Sequence, residues 1–76
     1  MRALIQRVSM SQVRVDGVTI GQIEQGLLVL LGVAPDDQMA DRDWLLRKIL
    51  NLRIFADEEG RMNRSVTDIQ GGLLVI

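Results

Sequence analysis

The sequence contains no cysteine and no histidine. The first absence excludes disulfides, thiolate metal sites and a cysteine nucleophile. The second removes the commonest general base and metal ligand. Aromatic residues are nearly missing too, with one Trp, one Phe and no Tyr, so the core has to be aliphatic. A formal net charge of −1 provides no overall basic field to gather nucleic acid, which leaves only a local patch for that purpose. No segment has the length and apolarity of a membrane span. The Met-Arg start, followed by alternating residues, lacks the apolar centre of a signal peptide. The expectation is a cytoplasmic protein without a membrane partner.

What is present begins with length. The 76 residues allow one domain, residues 1–76, small enough for its stability to be marginal. Its organising stretch is Gly26-Leu27-Leu28-Val29-Leu30-Leu31-Gly32-Val33-Ala34, an aliphatic run bounded by glycine in which neither face wants water. Such a run reads as a fully buried central strand. Arg2 to Val8 reads as a strand beside it, with Ala3, Ile5 and Arg7 on one face and Leu4, Gln6 and Val8 on the other. Arg7 is the odd member of an apolar face. It is either a snorkelling Arg paired with a surface carboxylate or an Arg that pins polar structure at a site.

Asp16-Gly17 between alternating strands predicts a two-residue type I′ hairpin, pairing Val15 with Val18 and Val13 with Ile20 on the inner side and Arg14 with Thr19 on the outer. Pro35-Asp36-Asp37 predicts a helix start capped by either Asp, with Asp41 favouring the positive end of the dipole. Leu45, Leu46, Ile49, Leu50 and Leu52 fall on one side of that helix, and Arg42, Asp43, Arg47, Lys48 and Asn51 on the other. Asp43 and Arg47 are spaced as an i,i+4 pair. Trp44, at the flank, reads as a lid on the core or a subunit contact before a base-stacking platform.

Arg42, Arg47 and Lys48 make the helix locally basic. A solvated face explains them, and phosphate contact is the sharper alternative. Arg53-Ile54-Phe55 begins another strand, Ala56 to Gly60 is an acidic turn rather than a metal site, and Met62 to Ile69 reads as a short strand ended by Gly71-Gly72. Leu73-Leu74-Val75-Ile76 reads as the opening of a further central strand. The expectation there is a chain cut short, or a terminal strand docked within a sheet or into a partner. The fold class is therefore mixed α/β: a hairpin-rich sheet with one main amphipathic helix packed on it.

Taken together, Ala3-Leu4-Ile5-Gln6-Arg7-Val8, Val13-Arg14-Val15-Asp16-Gly17, Gly26 to Val33, Arg53 to Asp57 and Gly60-Arg61-Met62-Asn63 resemble the D-aminoacyl-tRNA deacylases, the D-tyrosyl-tRNA deacylases of older naming. The resemblance runs in order along essentially all of the chain and covers only the family's N-terminal half. It implies part of a barrel-like fold, in a cytoplasmic homodimer with active sites at the subunit interface. The implied reaction is hydrolysis of the ester joining a D-amino acid, or mischarged glycine, to tRNA, with no metal and no cofactor. Backbone N–H groups and the tRNA 2′-hydroxyl would serve in place of side-chain acids and bases.

The departures are as informative. The family's Ser-Gln-X-Thr segment and its Gly-Pro dipeptide, which reaches into the partner's site to exclude L-amino acids, are absent; Pro35 follows Ala34. No catalytic residue of the family therefore falls within the chain. Arg7 matches a residue that helps hold the Gly-Pro loop. Met62 and Asn63 match a stretch near the substrate pocket, a core Met and a turn Asn being the plainer reading. The expectation is a shortened deacylase, inactive alone. The alternatives are a non-catalytic β-rich dimerisation or RNA-binding module using Arg42, Arg47 and Lys48, and a reading frame with no independent function.

Overall fold

The computed structural model describes residues 1–76. Alternation in β1 (Arg2–Val8) and the aliphatic run of β4 (Gly26–Gly32) build one sheet, antiparallel, in which Ala3 faces Leu31, Ile5 faces Val29 and Arg7 faces Leu27. On its other edge β4 pairs in parallel with β7 (Gly72–Val75), Leu27 opposite Leu73 and Val29 opposite Val75. The order β1-β4-β7 makes the aliphatic run the central strand. The ladder continues through Ile76, whose N–H donates to the Val29 carbonyl at 2.9 Å and whose carbonyl accepts from Leu31 at 2.7 Å.

Full burial of β4 is half correct. Leu27 and Val29 are buried on the face covered by the helix; Leu31, further along the same face, stays exposed beside Leu45 and Leu46, and Leu30 is exposed on the opposite face, which the helix does not cover. The core is small: Leu27, Val29, Ile49, Phe55 and Val66, with Ala3, Ile5, Leu45, Leu50 and Leu73 packed against it. The molecule is a slab of 43 × 36 × 16 Å.

The hairpin of β2 (Ser11–Val15) and β3 (Val18–Ile23) turns at Asp16 and Gly17, with φ of 50° and 78°. These are the positive values that the Asp-Gly dipeptide tolerates. Val15 pairs with Val18 and Arg14 with Thr19, but a bulge then sets Val13 opposite Gly21 instead of Ile20. Gly21 lies against Leu74, where an added Cβ would come 3.1 Å from a Leu74 methyl; the glycine, not the isoleucine, fits at that contact. Val15, Val18 and Ile20 are exposed rather than inward-facing.

Helix α1 spans Met39–Asn51 and its N-cap is Gln38, not Asp36 or Asp37. Asp37 is engaged elsewhere: its carboxylate accepts from the Met1 ammonium at 2.7 Å and from the Ala34 N–H at 2.7 Å. Capping passes to Asp41, whose carboxylate accepts the Gln38 N–H at 2.9 Å. At the far end Asn51 donates to the Arg47 carbonyl, and Lys48 lies in the last turn, where a cation complements the dipole. The predicted Asp43–Arg47 pair does not form; Asp43 pairs with Arg42 at 3.2 Å.

β5 (Phe55–Ala56) and β6 (Met62–Arg64) form a second hairpin. The strand expected over Met62 to Ile69 ends at Arg64. Ser65 and Asp68 exchange bonds, Ser65 N–H to the Asp68 carboxylate at 2.9 Å and Asp68 N–H to the Ser65 hydroxyl at 3.1 Å. This reciprocal Ser-x-x-Asp arrangement curls the chain and drives Val66 into the core.

Candidate functional site

Arg7 lies at the end of β1, and its guanidinium reaches across to the second hairpin. Nη1 donates to the Ile54 carbonyl at 2.6 Å and lies 2.9 Å from the Met62 sulfur. The partner is a main-chain oxygen rather than a surface carboxylate, which agrees with an Arg pinning polar structure. Met62 is exposed rather than a core residue, and Asn63 stands on β6 rather than in a turn. Arg53 holds Asn63 from the side, donating from Nε to its carbonyl at 3.2 Å and from Nη2 to its side-chain oxygen. The structure thus brings Arg7 and Met62 into contact and sets Asn63 beside them, although 55 residues separate Arg7 from Met62.

An open cleft of about 580 Å³ lies along this hairpin, lined by Arg53, Asp57, Glu58, Arg61, Met62 and Asn63 among others. Its charges are largely matched internally: Arg64 to Glu58 at 2.6 Å and Arg61 to Glu59 at 3.8 Å. The acidic residues form no group of three able to hold a metal ion. Asp57 organises the turn, accepting from the Arg61 N–H at 3.0 Å and the Glu59 N–H at 2.9 Å. Those bonds, Arg61's foremost, hold its carboxyl below the ordinary 3.8 against an opposing cost of desolvation. An ionised carboxylate is no proton donor near neutrality. These side chains can orient a bound group, but they pair no nucleophile with a base.

The sign of the acid response follows. With the folded pKa of Asp57 below 3.8, its bonds contribute fully above the unfolded value and are lost as pH falls through the folded one. In an NMR acid titration, the Glu59 and Arg61 amide shifts are expected to move with a midpoint below 3.8, and Asp57→Asn to abolish that step while keeping the turn. A midpoint at or above 3.8 contradicts the assignment.

The basic helical residues stand apart from this neighbourhood. Arg42 is paired with Asp43, Lys48 lies 5.6 Å from the Trp44 ring centroid, and Arg47 is exposed. No hydrogen bond or ion pair links them to Arg7. Trp44, 56% exposed, is not a lid on the core. No helix is long and apolar enough to cross a membrane. The Arg53–Asn63 clasp was not anticipated; only the register of the second hairpin, which brings β5 and β6 together, reveals it.

Comparison with known proteins gives this geometry a family. A profile described as D-Tyr-tRNA(Tyr) deacylase matches residues 4–76. The chain is 63% identical over 76 residues to the D-aminoacyl-tRNA deacylase of Opitutus terrae and 62% to that of Clostridioides difficile, covering 100% of this chain and 51% of each relative. The Syntrophomonas wolfei deacylase is 59% identical with the same coverage. Among solved structures, one called c-Myc DNA Unwinding Element Binding Protein superposes with a TM-score of 0.95 at 42% identity, over 99% of this chain and 51% of its own. The chain spans about half the length of the curated relatives it matches, their N-terminal half. On these matches, the chain belongs to the D-Tyr-tRNA(Tyr) deacylase family.

Proposed function

We propose that this chain is the scaffold half of a cytoplasmic, homodimeric D-aminoacyl-tRNA deacylase. That enzyme hydrolyses the ester between a D-amino acid, or mischarged glycine, and the terminal adenosine of tRNA. The family match across residues 4–76 carries the reading. Residues 1–76 act as one structural unit of a longer catalytic domain, and the groups that touch the reacting ester lie outside them. The side-chain inventory is compatible with this: histidine and cysteine are absent, and Asp57 is held ionised. An attacking water, with the oxyanion received by main-chain N–H groups, needs no side-chain base, metal or cofactor.

Within this scheme Arg7 is a positioning residue. Its bond to the Ile54 carbonyl fixes the β1 end against the second hairpin and leaves the guanidinium able to steady a neighbouring loop. Met62 and Asn63 border the substrate pocket, and Arg42, Arg47 and Lys48 contact tRNA phosphates. The solved relative's name describes binding to a DNA element. The formal net charge of −1 supplies no general field for such binding here.

The test is release of D-tyrosine from D-tyrosyl-tRNA by this chain joined to the remaining half of the Clostridioides difficile relative. Cleavage of the D-ester with sparing of the L-ester is expected, and a fusion that folds but cleaves neither overturns the reading. In that fusion Arg7→Met should lower the D-ester rate about 100-fold, the scale of a small misplacement at a site. It should also narrow the preference for D over L. A variant with unchanged rate and preference contradicts the positioning role.

A further inference from the structure

Of the four methionines, Met62 alone has a hydrogen-bond donor at its sulfur. Arg7 Nη1 donates to that sulfur at 2.9 Å and to the Ile54 carbonyl at 2.6 Å, so one nitrogen serves a thioether and the main chain together. Ile54 leads into β5 and Met62 opens β6. The thioether is the weak acceptor of the two. Met62 lines the open cleft and is 55% exposed, so a small solute reaches its side chain from water.

An oxygen added to this sulfur has no room in the present arrangement. An N–H···O bond by itself takes about 2.7–3.2 Å, and the sulfur already lies 2.9 Å from Nη1. A sulfoxide oxygen also carries negative charge density, which makes it a far better acceptor for a guanidinium than sulfur is. The core is Leu27, Val29, Ile49, Phe55 and Val66, so a polar group on Met62 disturbs none of it.

We infer that Met62 is a reversible oxidation site whose sulfoxide captures the Arg7 guanidinium and draws it off the Ile54 carbonyl. The reagent is a peroxide. Sulfur supplies the electron pair for the new S–O bond and the O–O bond breaks. The other oxygen of hydrogen peroxide leaves as water with both hydrogens. Reversal needs a methionine sulfoxide reductase and a thiol reductant: the oxygen departs as water and two thiols become a disulfide. Met10 and Met39 are 53% and 69% exposed, but no hydrogen bond reaches their sulfurs, so their oxidation is silent at Arg7. The effect on catalysis rests on the deacylase reading, in which Arg7 is the positioning residue; the modification itself does not.

The test treats the 76-residue chain with hydrogen peroxide, maps sulfoxides by peptide mass spectrometry and follows the Arg7 guanidinium resonances by NMR. The Arg7 resonances should shift in proportion to Met62 sulfoxide and return when reductases for both sulfoxide epimers are added with dithiothreitol. In Met62→Leu, a swap of similar volume whose fold circular dichroism checks, Met10 and Met39 should still oxidise while Arg7 stays unmoved. Met62 left intact when Met10 and Met39 are fully oxidised, a Met62 sulfoxide without an Arg7 shift, or an equal shift in Met62→Leu would each overturn the inference. In the fusion with the Clostridioides difficile half, peroxide should lower the D-ester rate about 100-fold more than in the same fusion carrying M62L, each against its own untreated rate. Equal losses would overturn the effect on catalysis. A fusion inactive before treatment counts against the deacylase reading instead, and the resonances of the chain alone still decide the oxidation site.

Discussion

Gly26→Ala is expected to unfold the β4–β7 pairing. A methyl at Gly26 would overlap the Gly72 carbonyl oxygen and lie 2.7 Å from the Gly72 nitrogen, and main chain on both sides leaves nothing flexible to yield. Overpacking of this kind costs about 3 kcal/mol at the upper end of its usual range, a large share of the roughly 4–11 kcal/mol that a chain of this length commands. The thermal midpoint should fall by about 12–24 °C. Gly32→Ala, at the other end of the same strand, is the control: an added methyl meets only the Arg2 carbonyl oxygen, at 3.9 Å. Its cost should stay within about 0.5 kcal/mol. Equal midpoints for the two variants would contradict the parallel register of Gly26 with Gly72.

Phe55→Ala should have a similar or larger effect. Phe55 is 2% exposed and is the largest fully buried side chain, in a core with only four other members. Truncating a buried Phe costs about 3–5 kcal/mol through lost transfer energy and the cavity left behind. The damage should reach the site as well, because Ile54, whose carbonyl receives the Arg7 guanidinium, precedes Phe55 and packs against the same core. Trp44→Ala removes the other aromatic residue. With Trp44 more than half exposed, unfolding free energies from urea titration should separate the two substitutions by at least about 2 kcal/mol. Comparable losses would show that the helix buries Trp44 and not Ile49.

What could be read in advance was local. The Asp16-Gly17 turn and the central position of the aliphatic strand follow from φ preferences and from side chains with no use for water. So does the inward stripe centred on Ile49. What could not be read depended on distant partners. Asp37 would cap the helix were the Met1 ammonium, 36 residues away, not holding it. The Val13–Ile20 register fails because Leu74 needs a glycine beside it. Arg7 stood out as a cation on an apolar face, yet its acceptor is a carbonyl 47 residues along, which no local pattern specifies. The Ser65–Asp68 exchange is a local Ser-x-x-Asp capping pattern, and it overrides the strand alternation that runs on past Arg64. β4 is less buried than its composition implies for a different reason: the apolar pattern reports what a strand requires, not what this chain supplies.

The central claim is that these residues form a scaffold whose reacting groups lie elsewhere. Incubating the purified 76-residue chain alone with D-tyrosyl-tRNA, beside the intact Clostridioides difficile relative, tests it most directly. The ester should persist at its spontaneous rate with this chain and be cleaved by the relative. Cleavage by the 76 residues at a rate near that of the relative would contradict the claim.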